Sequence, residues 1–251
     1  MSTISYGPLT LVPSEDGSYT VTACEKTACR VTIPQKVCGH PVTSVAADAF
    51  ADCTLLAAVT FEEPCEEALF EGRCLTELGD HAFSGCTALY DLCLPTGLRF
   101  VGLGCFRGCT ALARLACPPD VCFCPYAFSG CTALSEVPPL FYLSEGIFEG
   151  CTSLTALTLA ATLDEIPESA FEHCEGLLEI TIPAAVRVIG ALAFRSCRAL
   201  QSVTFLAPLS WYAEDSYHEE AHPIDVCDPA RNAAILRGMD FDDGILRWLK
   251  K

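Results

Sequence analysis

At 251 residues and a formal net charge of −17, the chain is too acidic to grip nucleic-acid phosphates or an anionic lipid surface, both of which call for clustered Lys and Arg. Its 51% hydrophobic content requires a large apolar interior, yet no apolar run reaches the length of a membrane helix. The acid excess therefore reads as a solubility device around an extensive core.

The stretch from Met1 to Pro8 has neither a basic segment nor an apolar centre, so no secretory signal is expected and a cytoplasmic location is favoured. Residues 1–28 read as a cap. Leu9 to Val12, a turn at Asp16-Gly17 and Tyr19 to Val21 give the pattern of a β-hairpin. Val31-Thr32-Ile33-Pro34 then alternates like a half-buried strand stopped by proline, and is expected to open the first repeat.

From here the motif Phe-x-x-Cys-x-x-Leu recurs seven times, beginning at Phe50, Phe83, Phe106, Phe128, Phe148, Phe171 and Phe194. The steps between them are 33, 23, 22, 20, 23 and 23 residues, and a period near 23 marks stacked units that bury a shared core. After each leucine comes a short apolar alternation, as in Leu154-Thr155-Ala156-Leu157-Thr158-Leu159 and Leu177 to Ile182. These are expected to pair in parallel into one sheet along one side. Looser apolar pairs follow, such as Leu75 with Leu78 and Val186 with Ile189, and then Ala-Phe, expected as short helical turns on the other side. The architecture expected is an α/β solenoid spanning residues 29–207 in about seven to eight coils. Phe fills the interior, and Cys is read as a small apolar filler in reduced form, since 18 cysteines recur by repeat position rather than as a disulfide framework.

The first Phe-to-Phe step is ten residues longer than the 23-residue steps and carries the acidic stretch from Glu62 to Gly72, with Leu69-Phe70 inside it. Insertions of this kind map to surface loops near residues 62–73. Residues 208–251 read as an acidic linker and a helical cap. Asp228-Pro229 opens a helix that Gly238 stops, and a second short helix is expected from Gly244 to Lys251.

The segments Leu75-Thr76-Glu77-Leu78-Gly79-Asp80-His81-Ala82-Phe83-Ser84-Gly85-Cys86 and Val186 to Phe194 resemble the BspA-type leucine-rich repeats, whose pattern runs L-x-x-V-x-L-P…L-x-x-I-G-x-x-A-F-x-G-C. The departures are Cys122-Phe123-Cys124 in place of Ile-Gly, and Glu145-Gly146-Ile147 where Ala should precede Phe148. These mark the coils expected to be irregular. The resemblance implies a leucine-rich-repeat solenoid that works by interaction or adhesion, with the cell surface as the alternative location.

Two sets of residues compete for function. His218-Glu219-Glu220-Ala221-His222 has the H-E-x-x-H spacing that on a helix aims two histidines at zinc with Glu219 as base, the signature of a hydrolase. Pro223 breaks such a helix at once, so the motif is expected to be idle, with no catalytic residue, metal or cofactor in the chain. The second set is the outward-facing strand positions. Asp91, Arg114, Glu136 and Glu179 fall in one column, Thr158 and Thr181 in the next. A protein or glycan with basic groups is the partner expected there, and a purely structural module of a larger assembly is the other alternative.

Overall fold

The structure, a computed structural model, describes residues 2–64, 66–70, 72–207, 211–214, 219–220, 227–237 and 247–250. The chain opens with three antiparallel strands, β1 (Ile4–Tyr6), β2 (Leu9–Pro13) and β3 (Tyr19–Cys24). Asp16 Oδ1 holds the β2–β3 turn by accepting from the Ser18 amide and hydroxyl at 2.9 and 2.7 Å.

The coils then contribute short strands, three in the first and no more than two in each that follows. The first coil has β4 (Arg30–Ile33), β5 (Lys36–Val37) and β6 (His40–Val45). The second has β7 (Ala58–Phe61), the inserted helix α1 (Glu66–Phe70) and β8 (Glu77–Leu78). The third has β9 (Asp91–Cys93) and β10 (Phe100–Val101), the fourth β11 (Arg114–Ala116) and β12 (Cys122–Phe123). After an interval come β13 (Glu165–Ile166), β14 (Glu179–Ile182), β15 (Val188–Ile189) and β16 (Ser202–Phe205). The chain ends with β17 (Trp211–Glu214), β18 (Glu219–Glu220), α2 (Pro229–Arg237) and β19 (Arg247–Lys250).

Coil pairing is parallel and in register: Val31 lies beside Val59, Leu92 beside Leu115, Ile180 beside Val203. The apolar pairs such as Leu75 and Leu78 do more than the sequence suggested. They end in a second parallel ladder, Val45 beside Leu78, Leu78 beside Val101 and Val101 beside Phe123, so the solenoid has two sheets rather than one, each broken into two hydrogen-bonded parts by the interval after β12. Two residues per strand give too short a period to be read as alternation.

The third side is formed by the Phe segments. Their turns close through i→i+3 bonds such as Cys86 N to the Phe83 carbonyl, 3.2 Å, and are laddered from coil to coil by bonds such as Phe83 N to the Cys105 carbonyl, 2.8 Å. Two left-handed residues flank each phenylalanine, as His81 and Gly85 do around Phe83. The rings of Phe50, Phe83, Phe106, Phe128, Phe148, Phe171 and Phe194 form one buried stack with centroids 4.5–6.0 Å apart. The Tyr126 ring lies where a Cβ on Gly146 would be, so the Ala-to-Gly-Ile departure in that coil makes room for a ring.

Cysteine at the repeat position is more than filler. The thiols of Cys86, Cys109, Cys131, Cys151, Cys174 and Cys197 each donate to the carbonyl of the phenylalanine one coil back, at 3.1–3.3 Å. Burial pushes these thiols far up, to about 12 for Cys131 and Cys197.

The strand expected at Leu154 to Leu159 does not form; Leu159 makes only an isolated bridge to Leu140. Pro138-Pro139 explains this, because the preceding coil lacks the amide donors a ladder needs. The Phe segments carry the stack across the gap, through Phe128 N to the Ile147 carbonyl at 3.1 Å and Phe148 N to the Ala170 carbonyl at 3.0 Å.

At the C-terminal end α2 starts as expected, with Asp228 Oδ1 accepting from the Arg231 amide at 2.9 Å. The second helix does not. Arg247–Lys250 is strand β19, lying antiparallel between β15 and β17. Sealing the otherwise open edge of Val188–Ile189 outweighs the weak helical preference of four residues.

Candidate functional site

The six outward residues named from sequence line two adjoining hollows. Parallel register sets Arg114 beside Asp91, and a single bridge sets Glu136 beside Arg114. Successive coils are a strand spacing apart, about 4.8 Å, so the three charges form a short row. Arg114 Nη2 is 3.8 Å from Asp91 Oδ2, with side chains 60% and 50% exposed. At that exposure the pair adds little to stability and remains open to exchange with a partner. Among the described residues no cation pairs with Glu136 or Glu179.

One hollow, of ≈ 440 Å³, is lined by Asp91, Arg114 and Glu136 with Ala116 and Pro138. The other, of ≈ 480 Å³, is lined by Glu136, Thr158, Glu179 and Thr181 with Ser202 and Thr204. Glu136 belongs to both. The second hollow lies where Glu136 makes only a single bridge and the segment from Leu154 to Leu159 forms no regular strand. It is walled by hydroxyls and two carboxylates, a set suited to ammonium, guanidinium or polyol groups.

Sequence reasoning found no aromatic anchors in the two outward columns. The structure adds Tyr90 and Leu178, 47% and 44% exposed, each one residue before a column acid. Their signal was present as the position immediately ahead of Asp91 and Glu179, outside the alternation.

The insertion touches both neighbouring coils. Glu62 Oε2 accepts from the Gln35 amide at 2.9 Å, and Glu63 Oε2 accepts from the Thr96 amide and hydroxyl at 3.2 and 2.8 Å. Ala68 is buried while Leu69 is exposed. A further hollow of ≈ 470 Å³ opens beside Glu63, bounded by Thr96, Arg99 and Asp120.

For the zinc motif, His218 and His222 lie outside the described residues. Glu219 is in β18, paired antiparallel with Glu214, and not on the helix that the H-E-x-x-H geometry requires. Among the described residues no three of His, Cys, Asp and Glu gather as metal ligands. No helix among them is long and apolar enough to cross a membrane.

The comparisons agree with this architecture. The chain is similar to a leucine-rich repeat protein of T. pallidum, at 24% identity and a TM-score of 0.65 over 78% of this chain and 90% of that one. It is also similar to a leucine-rich cell surface protein of Faecalibacterium prausnitzii, at 25% identity and a TM-score of 0.70 over 88% of this chain, and spans 61% of that protein's length. A leucine-rich repeat protein of Bacteroides ovatus aligns with a TM-score of 0.56 at 22% identity, over 77% of this chain and 56% of that one. No curated protein matches the chain. The BspA type leucine-rich repeat region matches residues 69–140 and 136–220 in six copies, more than half of the chain. With seven Phe-x-x-Cys-x-x-Leu motifs in register, a stacked ring column and two parallel ladders, the chain belongs to the BspA-type leucine-rich repeat family.

Proposed function

We propose that the chain is a non-enzymatic interaction module whose outward strand face takes a protein or glycan partner carrying basic groups. The observation behind this is the pair of hollows that meet at Glu136. They bring Asp91, Arg114, Glu136, Thr158, Glu179 and Thr181 along adjoining hollows, with exposed Tyr90 and Leu178 one residue ahead of Asp91 and Glu179. Glu136 and Glu179, which pair with no cation among the described residues, and a row of hydroxyls suit a lysine, an arginine or an amino sugar. Exposed Tyr90 supplies the rigid apolar contact that charges alone lack. Repeat proteins of this kind serve protein interaction in general, which agrees with the reading.

Affinity capture from the native cell tests it. The wild-type chain and a variant with Asp91→Lys, Glu136→Lys and Glu179→Lys serve as paired baits. A partner retained by the first and lost from the second supports the strand face. A partner retained equally by both moves the site elsewhere.

A further inference from the structure

The two sheets of the solenoid end differently at the N-terminus. The second sheet is covered there, because β3 of the hairpin pairs with β6. At the far end β19 pairs with β15, and α2 closes β16, with Asn232 Nδ2 donating to the Val203 carbonyl at 3.3 Å and Arg237 Nη1 to the Leu200 carbonyl at 2.8 Å. The first sheet begins at β4, and β7 is its neighbour on one side.

The carbonyls of Cys29 and Ile33 accept from the amides of Ala57 and Glu62 in the next coil, at 2.8 and 3.0 Å. Main-chain groups alternate sides along a strand, so Arg30 and Thr32 turn their N–H and C=O away from the solenoid. Among the described residues nothing bonds to that outer side. The side chains of Arg30 and Thr32 are exposed, while Val31 and Ile33 point into the core.

An open edge is a template for a further strand. Its charge selects the strand. Residues 26–47 hold Lys26, Arg30 and Lys36 and no acidic residue, in a chain of net charge −17. A basic incoming strand meets repulsion here, and a second copy of this acidic chain is disfavoured as a whole. We propose that β4 accepts an extended acidic segment of a partner protein as an added strand, hydrogen-bonded to the main chain of Arg30 and Thr32. This site is separate from the hollows around Glu136 and has the opposite preference for charge.

The probe is a labelled, end-capped peptide alternating glutamate with valine, followed by fluorescence anisotropy on the full chain. Comparators carry lysine for glutamate, or N-methyl groups on alternate amides that cannot pair. Thr32→Pro removes one outward N–H and leaves the ladder to β7 intact; Arg30→Glu reverses the charge without touching the main chain. Both variants are checked for an unchanged thermal midpoint. The acidic peptide is expected to bind, and each variant and each comparator to weaken binding about tenfold or more. No saturable binding up to about 1 mM, the weak limit of specific recognition, overturns the proposal. So does equal binding by the lysine or N-methylated peptides, or by both variants at full strength. Self-association lost in Thr32→Pro but not displaced by the peptide would assign the edge to a second copy and overturn it as well.

Discussion

The Cys174 thiol donates to the carbonyl of Phe148 at 3.1 Å, across the boundary between two coils. The same carbonyl accepts from the Cys151 amide, also at 3.1 Å, within its own coil. The repeat cysteine thus joins the turn of one coil to the core position of the next, and it needs a donor on a side chain small enough to fit behind a phenylalanine. This distinguishes two reasons for cysteine. If volume alone matters, Cys174→Val should be tolerated at least as well as Cys174→Ser. If the donor matters, serine is the better substitute and valine costs about 0.5–1.5 kcal/mol more, the net worth of one hydrogen bond. Urea midpoints of the two variants give the order, and a more stable valine variant would return cysteine to the role of filler.

Burial of this column has a consequence for pH. The Cys131 and Cys197 thiols are pushed up from 9.0 to about 12, and Cys109, Cys151 and Cys174 stand well above 9.0, all chiefly through desolvation. A raised folded-state value means that the native state holds protons the unfolded chain releases. The stabilisation is full below 9.0 and falls as pH rises from there toward the folded values, at about 1.4 kcal/mol per pH unit for each such thiol. With several thiols acting together, the thermal midpoint should drop steeply between about pH 9 and pH 11. A midpoint that stays level over that range would mean the column is accessible to solvent.

The same column governs reactivity, because the thiolate is the nucleophile. Iodoacetamide at neutral pH is expected to label exposed Cys29, Cys38, Cys93, Cys122 and Cys227 in the folded protein, and to reach Cys109, Cys131, Cys151 and Cys174 only in denaturant without reductant. Mass spectrometry separates the two sets. Native labelling of the second set would contradict their burial, and failure to label in denaturant would show them oxidised.

The ring stack makes the solenoid cooperative across coils. Phe128 sits between Phe106 and Phe148 at 5.5 and 6.0 Å and also meets Phe123 at 5.2 Å. Phe128→Ala should cost about 3–5 kcal/mol, the usual loss for a buried phenylalanine. It should also unlatch the coil that lacks regular strands, since the Phe segments are what carry the ladder past Pro138-Pro139. Hydrogen exchange at Ile147 and Phe148 rising with that at Phe128 would show the coupling; a rise confined to Phe128 itself would deny it.

Much of this was legible in sequence because the core repeats at one spacing. The register of Phe, Cys and Leu placed every buried layer, and counting eight residues on from Phe83, Phe106, Phe128 and Phe171 reached Asp91, Arg114, Glu136 and Glu179. The second sheet was hidden because Glu77-Leu78 or Phe100-Val101 is too short to show alternation. β19 was misread because Trp248 and Leu249 suit a helical face, while their actual pairing with Val188–Ile189 depends on a contact distant in sequence. The hollow shared by Glu136, Thr158 and Glu179 was hidden for a different reason: it lies where regular strands fail to form, and an absence of pairing has no periodic signal.

The strand face and the insertion compete as the place where a basic partner docks. The insertion presents Leu69 and several acids, but Glu62 and Glu63 already hold main-chain amides of the flanking coils at Gln35 and Thr96. Deleting all of it would disturb the scaffold, so the informative deletion removes only residues 65–71 and leaves those two bonds in place. The strand face needs less ordering, because Asp91 and Glu179 stand on paired strands and Glu136 is bridged to Arg114, whereas a loop loses conformational freedom when it binds. Reversing Asp91, Glu136 and Glu179 together is therefore expected to weaken binding more than the deletion does. Because these acids are exposed, their long-range attraction is screened, so the association rate of the wild-type chain should fall with added salt and that of the reversed variant should fall less steeply. Surface plasmon resonance across a salt series, with the partner captured by the wild-type bait, gives both quantities. Binding lost on deletion and kept on charge reversal would make the insertion the docking element and leave the strand face a structural surface.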